Sequence, residues 1–272
     1  MTGVSPSCAG VGKAIDAAGE EGRAALIAYL PVGFPSVAGS VDAAKALIDA
    51  GVDALELGLP YSDPVMDGPV IEDAVVAALA AGARVDDTFR AVEALAGRGV
   101  PILVMTYYNP VYRRGVARFA ADLASAGGAG LITPDLIPDE AGEWIAASEA
   151  HGLDRVFLVA PSSTAERLAV VAEACRGFTY ATSTMGVTGE RATLSGRARV
   201  LVERARAAGA ERVCVGVGVS TPAHAAEVAS FADGVIVGSA FVRLVSEADS
   251  AAEARQALSD LAGRLREAAT LG

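Results

Sequence analysis

Eight short runs of apolar, often β-branched residues recur along the chain, separated by stretches with helical periodicity. Such nearly continuous hydrophobicity is typical of parallel strands covered on the outside by helices. Strand and helix alternate with short connections, which predicts a parallel sheet. Eight such units in about 250 residues predict closure into a (β/α)₈ barrel, the TIM barrel of the α/β class. The runs are AALIAYL (24–30), DALELG (53–58), PILVMTY (101–107), GAGLIT (128–133), RVFLVA (155–160), FTYATS (178–183), RVCVGVG (212–218) and DGVIVGS (233–239).

The segments between these runs carry apolar residues on one helical face. In SVDAAKALIDAG, Val41, Ala44 and Leu47 share a face, and Gly51 ends the helix. The segment before the first run is expected to add an N-terminal helix. No linker-like composition divides the chain, so we expect residues 1–272 to form one TIM-barrel domain.

Composition narrows the classes of partner. The net charge of −11 and the pI near 4.7 argue against nucleic acid or an anionic membrane as the main partner. They do not argue against a phosphate ligand, which backbone N–H groups can bind. The N-terminus lacks an apolar signal core and no run of about 18 apolar residues occurs, so a cytoplasmic protein is expected. Cys8, Cys175 and Cys214 show no metal or disulfide spacing.

Two loops are longer than a barrel scaffold requires, and both follow strands. They cover residues 59–69 and 184–196. Loops after strands lie on the catalytic face of such a barrel, so both are candidates for function. Arg113 and Arg114, which follow the third run, are expected in a solvated loop.

Glu56 is the unusual residue of the second run. Strand alternation sends Leu55 and Leu57 to one side and Glu56 to the other, and the bulky pair is expected to face the helices. Glu56 then points into the barrel mouth. It is either a core glutamate tied by hydrogen bonds or an ion pair, or a catalytic group whose raised pKa makes it a proton donor. Its place near the C-terminal end of a barrel strand favours catalysis.

The loop after Glu56 carries two aspartates. Asp63 precedes Pro64, and Asp67 precedes Gly68 and Pro69. Both patterns are ordinary turn and cap usage, so spacing alone favours a structural role for each.

Glycine-rich ends on the seventh and eighth runs indicate a phosphate site. They read VGVGVSTP (215–222) and VGSAF (237–241), and Ser220 or Thr221 can cap the helix that follows. Loops after strands seven and eight are the recurring phosphate site of this fold. The alternative is a pair of tight turns without a ligand.

Two tyrosines are candidate substrate-binding residues. Tyr180 lies in the sixth run and either offers its hydroxyl to a substrate or fills the barrel. Tyr107 ends the third run and either lines a pocket or packs the rim. From its residues alone, the chain is predicted to be a barrel enzyme for a phosphorylated small molecule, with acid–base carboxylates and no metal.

Several motifs together resemble the tryptophan synthase alpha chain family. They occur in that family's order and spacing, from about residue 24 to 245, and the segment from Glu56 to Pro69 is the most specific. The motifs are LIAYLPVGFPS, ELGLPYSDPVMDGP, MTYYNP, PDLIPDE, GVTG, GVGVSTP and GVIVGSAFV.

The resemblance implies a retro-aldol cleavage of indole-3-glycerol phosphate to indole and glyceraldehyde 3-phosphate, without a cofactor. It makes Glu56 the general acid–base and Asp67 the acceptor of the indole N–H. Tyr180 then matches an active-site tyrosine, and Thr188 matches a loop threonine that contacts Asp67. The implied phosphate binders are Gly189, Gly218, Gly238 and Ser239.

The resemblance also implies a partner, a pyridoxal-phosphate-dependent beta chain in an alpha2-beta2 heterotetramer. A freestanding lyase of another pathway and a barrel that serves as an activating subunit are the alternatives. Thr184, Met66 and Val217 depart from residues that are frequent in the family. These departures bear on loop closure and the indole pocket.

Overall fold

The computed structural model describes residues 10–182, 191–216 and 218–270, and within these ranges strands and helices alternate as predicted. The strands are β1 (Ala25–Pro31), β2 (Ala54–Gly58), β3 (Ile102–Met105), β4 (Gly130–Thr133), β5 (Asp154–Val159), β6 (Thr179–Thr182), β7 (Val213–Gly216) and β8 (Gly234–Val237). The helices are α1 (Val11–Glu20), α2 (Val37–Asp49), α3 (Pro69–Ala80), α4 (Val85–Leu95), α5 (Tyr108–Arg114), α6 (Val116–Ser125), α7 (Gly142–His151), α8 (Ala165–Ala174), α9 (Arg191–Ala207), α10 (Pro222–Ala229), α11 (Ser239–Glu247) and α12 (Ala251–Ala268), with a 3₁₀ helix at Pro138–Glu140.

Every strand pairs in parallel with its neighbours in sequence, and β8 pairs with β1, so the sheet closes into a barrel. This is the predicted TIM barrel, and α1 is the predicted additional helix. The register places Tyr29, Glu56 and Leu103 side by side on β1, β2 and β3. The C-terminal ends of the strands therefore meet at one rim.

The core has two layers, one inside the barrel and one between strands and helices. Leu55 and Leu57 pack in the outer layer, whereas Ala54 packs in the inner one. Glu56 alternates with the two leucines and lies on the inner face, as the alternation predicted.

Helix α1 covers the end of the barrel opposite this rim. Val11 and Ile15 pack into the inner layer. The backbone N–H of Val11 donates to Asp154 Oδ2 at 2.8 Å, at the start of β5. Arg212 donates to both carboxylate oxygens of Asp16, at 2.6 and 2.7 Å. Helix α1 thus covers the lower end of the barrel.

The expectation of a solvated loop at Arg113 and Arg114 is wrong, because both residues lie in the last turn of α5. Arg114 forms ion pairs of 2.7 Å with Asp86 and Asp122, and its guanidinium lies 4.6 Å from the centre of the Phe89 ring. These partners come from other helices, and local sequence carries no sign of them.

Glycine is required where β4 meets β5. A Cβ atom on Gly130 would lie 2.3 Å from the backbone oxygen of Asp154, whereas one on Gly263, in α12, would meet nothing within 4 Å. Gly130→Ala should lower the free energy of unfolding by about 1–3 kcal/mol through overpacking. Gly263→Ala should raise it by about 0.5–1 kcal/mol, because alanine is the better helix former. Urea unfolding of both variants checks this, and equal midpoints would contradict it.

Candidate active site

A cavity of about 860 Å³ opens at the C-terminal rim. It is bordered by strand ends and by the loops that follow β2, β7 and β8. It brings together sequence-predicted residues that lie up to 183 positions apart in the chain. These are Glu56, Asp67, Tyr180, Gly218, Gly238 and Ser239.

Glu56 is fully buried at the floor of this cavity. Neither carboxyl oxygen has a hydrogen-bond partner among the described residues. Burial penalises the charged form and raises the pKa of Glu56 to about 8. The side chain is therefore mainly the neutral acid at neutral pH, and it has no ion-pair or hydrogen-bond partner among the described residues.

Tyr29 and Tyr180 lie on either side of Glu56, and each ring crosses a glycine at the end of the next strand. A Cβ atom on Gly58 would lie 2.2 Å from Tyr29 Oη, and one on Gly216 would lie 2.5 Å from Tyr180 Oη. Burial, followed by nearby negative charge that includes Glu56, raises the pKa of both phenols well above the ordinary value. Both hydroxyls are therefore neutral donors beside Glu56.

Tyr29 is a site residue that the sequence analysis missed. It lies on the same face of β1 as Ala25 and Ile27, which pack inside the barrel. An aromatic residue on the inner face at the C-terminal end of a barrel strand is the signal that would have identified it.

Asp67 lies in the loop after β2, partly exposed at the cavity wall. Burial raises its pKa and the charge of Glu72 adds to this, whereas a hydrogen bond from Tyr107 lowers it. Tyr107 Oη donates to Asp67 Oδ1 at 3.2 Å. Asp63, by contrast, is exposed and bonds to Ser62 in the turn, at 2.6 Å.

The hydroxyl of Tyr107 also holds the backbone beside Asp67. It accepts the N–H of Val65 at 3.1 Å and that of Met66 at 2.9 Å. One hydroxyl therefore uses its donor and both acceptor positions on a single loop. Its contact with the loop fixes where the Asp67 carboxylate points.

The opposite wall is made of backbone at two helix starts. Thr221 caps α10 by accepting the N–H of His224 at 3.3 Å, as the sequence suggested for this pair of hydroxyls. In α11 the first intrahelical bonds among the described residues come from Phe241 and Val242. The N–H groups of Ser239 and Ala240 are thus free to meet an anion at a helix N-terminus.

Conformation and space also favour glycine at this wall. Gly218 has a φ of 71°, in the left-handed region. A Cβ atom on Gly238 would approach Tyr29 Cδ1 to 3.3 Å. Thr188, Gly189, Thr184 and Val217 lie outside the described residues. Met66 lies at the edge of the cavity.

Metal ligands are not grouped in the part of the chain that the structure describes. No three His, Cys, Asp or Glu side chains there come together in a way that could hold a metal ion. The site therefore consists of the buried acid Glu56, the carboxyl group of Asp67 on a loop held by Tyr107, and the N-terminal ends of α10 and α11.

Burial of Glu56 has a cost that depends on pH. The pKa of Glu56 is about 8 in the folded protein against an ordinary value of 4.5. The stability that the folded state gains by keeping this carboxyl group protonated is therefore complete below pH 4.5 and is lost as pH rises towards 8. Glu56→Gln should therefore raise the free energy of unfolding at pH 8 by an amount on the order of a few kcal/mol, at 1.36 per pKa unit. Urea unfolding at pH 5 and pH 8 measures this. A difference between wild type and variant that does not grow with pH would contradict it.

Comparison with known proteins finds similarity to one family along most of the chain. The sequence profile of the tryptophan synthase alpha chain matches residues 15–270. The chain is 58% identical over 255 residues to the tryptophan synthase alpha chain of Salinispora arenicola, covering 94% of this chain and 96% of that one. For the protein of the same name from Bifidobacterium longum, the identity is 57% over 251 residues, covering 92% and 86%.

Comparison with solved structures leads to the same family. A crystal structure of tryptophan synthase from M. tuberculosis superposes with a TM-score of 0.88 at 52% identity, covering 96% of this chain and 98% of that one. The tryptophan synthase subunit alpha of Legionella pneumophila superposes with a TM-score of 0.86 at 32% identity, covering 95% and 97%. Since profile, sequences and structures agree over nearly the whole barrel, this chain belongs to the tryptophan synthase alpha chain family.

Proposed function

We propose that this chain is a lyase that cleaves indole-3-glycerol phosphate to indole and D-glyceraldehyde 3-phosphate, in the biosynthesis of tryptophan. The observation that carries the proposal is the neutral, unpartnered carboxyl group of Glu56 in the same cavity as Asp67 and an anion-binding wall. We also propose that residues 1–272 form one TIM-barrel domain.

Glu56 supplies the proton that starts the reaction. Indole is a poor leaving group until its C3 is protonated, and a carboxylic acid with a pKa of about 8 is protonated at neutral pH. Glu56 lines the cavity that would hold the substrate, and Tyr29 and Tyr180 line the same cavity.

Asp67 stabilises the charge that protonation creates. Protonated C3 leaves a positive charge on the indole nitrogen, and a carboxylate that accepts the N–H stabilises it. The hydroxyl of Tyr107 keeps Asp67 in place through the loop of residues 65–67. Tyr180 and Tyr107, both predicted to bind substrate, would then act beside Glu56 and beside Asp67 respectively.

Bond cleavage returns Glu56 to its starting state. The Glu56 carboxylate takes the proton of the hydroxyl on the carbon attached to C3, and the oxygen lone pair forms the aldehyde. The electrons of the carbon–carbon bond restore the indole ring and neutralise its nitrogen. The reaction has no net oxidation and needs no cofactor in this chain.

The phosphate group of the substrate binds at the wall made by α10 and α11. Gly218 and Gly238 allow close approach of the backbone, and the N–H groups at Ser239 point outward. The family resemblance adds Gly189 as a further phosphate binder and Thr188 as a substrate-binding residue, and both lie outside the described residues.

The partner we propose is a tryptophan synthase beta chain, in an alpha2-beta2 heterotetramer that holds pyridoxal phosphate only in the beta chain. Val65 in the loop after β2 and Tyr112 in α5, which follows β3, are 77% and 66% exposed, which supports a contact at this rim. The protein is proposed to be cytoplasmic. Among the described residues, every helix is too short or too polar to cross a lipid bilayer.

Production of indole tests this function. The pure chain should release indole from indole-3-glycerol phosphate, and faster when a beta chain is added. Glu56→Gln should lower kcat by a factor on the order of 10²–10⁴, the usual share of general acid–base catalysis. The rate should also fall as pH rises through about 8, because the acid form of Glu56 is lost.

Failure of the chain to release indole, with or without a beta chain, would overturn the proposal. A wild type and a Glu56→Gln variant that are equally slow but equally able to activate a beta chain would indicate an activating subunit instead. A chain that is fully active and forms no complex with a beta chain would be a freestanding lyase.

Tyr107→Phe should act through Asp67. Loss of the donated hydrogen bond raises the pKa of Asp67, so the acidic limb of the kcat/KM profile should move to higher pH. The rate at neutral pH should fall because the loop loses its anchor. Tyr112→Phe removes an exposed hydroxyl and is the matched control. An acidic limb that coincides for all three proteins would refute the role of Tyr107.

A further inference from the structure

The cavity continues beyond the barrel mouth into a groove between α11 and α12. Arg243 and Leu244 of α11 line one side, and Asp260 and Arg264 of α12 line the other. None of these residues belongs to a strand end or to the loops that hold Glu56 and Asp67. The groove is nevertheless continuous with the wall at Gly238 and Ser239.

Helical spacing turns Arg243 towards that wall. Ser239 and Arg243 are four residues apart, so they share a face of α11, and helical side chains lean towards the helix N-terminus. On α12, Arg264 likewise leans back, with its Nε donating to the backbone oxygen of Asp260 at 3.2 Å. Both guanidinium groups therefore lie on the side of the groove that leads to the cavity.

Neither arginine is neutralised by a carboxylate among the described residues. Arg114 and Arg212, in contrast, form close ion pairs with Asp86, Asp122 and Asp16. Asp260, the nearest acidic residue on the groove wall, accepts instead from Gln256 Nε2 at 2.8 Å. Two free positive charges at one cavity are unusual in a chain whose net charge is −11.

The substrate of the proposed reaction needs such charges. Its phosphate carries close to two negative charges, and it enters a cavity that already contains the carboxyl group of Asp67. The wall at Gly238 and Ser239 offers backbone N–H groups and a helix dipole, but no full positive charge among the described residues. An acidic protein would otherwise repel this ligand as it approaches.

We propose that Arg243 and Arg264 form an anion-attracting entrance to the wall at Gly238 and Ser239, where the phosphate binds. This entrance selects phosphate monoesters over their uncharged analogues. The identity of the ester rests on the proposed function. The affinity of the groove for a phosphate dianion does not.

Substitution of each arginine by glutamine tests the entrance. Arg243→Gln and Arg264→Gln should each raise the KM for indole-3-glycerol phosphate about 2- to 5-fold at low salt, as expected for exposed charge pairs, with kcat unchanged. The increase should vanish near 1 M salt, where the Debye length is about 3 Å. Calorimetry should show weaker binding of inorganic phosphate by both variants. Asp260→Asn should lower the KM.

Arg255→Gln is the matched control, because Arg255 is an exposed arginine of α12 that does not border the cavity. Equal KM values and equal phosphate affinities for all three glutamine variants at low salt would overturn the entrance, while leaving the lyase activity established. If the wild type cleaves nothing, but Arg243→Gln and Arg264→Gln bind phosphate more weakly than the wild type does, the proposed reaction is overturned and the entrance is supported.

Discussion

Because β8 pairs with β1 in the same parallel sense as every other neighbouring pair, the ends of all eight strands face one rim. The site depends on this closure. It places the loops after β2, β7 and β8 around one cavity, although they are distant in sequence. It also buries the inner face of β2 inside the barrel, so that Glu56 is buried and has no hydrogen-bond partner among the described residues.

That desolvation connects stability to chemistry. An unpartnered buried carboxyl group is costly when charged, and the protein keeps it neutral by raising its pKa to about 8. The same property makes it an acid at neutral pH. The surroundings of Asp67 differ: burial raises its pKa as well, but the side chain is partly exposed and the hydrogen bond from Tyr107 acts to lower the pKa. Two carboxyl groups of one cavity are thus separated in role by their surroundings.

Precision at the rim comes from groups that take no part in the proposed chemistry themselves. The hydroxyl of Tyr107 makes one donated and two accepted hydrogen bonds, all with the loop that carries Asp67. Gly58 and Gly216 leave space for the rings of Tyr29 and Tyr180, so a single Cβ atom at either position would displace a hydroxyl beside Glu56. In this family, the site therefore depends on residues that hold the catalytic groups as well as on those groups.

The sequence by itself determined the barrel, its strand order and the inward direction of Glu56, because strand and helix periods are local properties of the chain. Family motifs, and not spacing, raised Asp67 above its neighbour Asp63. Tertiary structure alone decided that Arg114 joins ion pairs and that Tyr107 anchors the Asp67 loop. These depend on contacts between elements far apart in sequence. Such contacts exist only once the barrel has closed, and no local pattern records them.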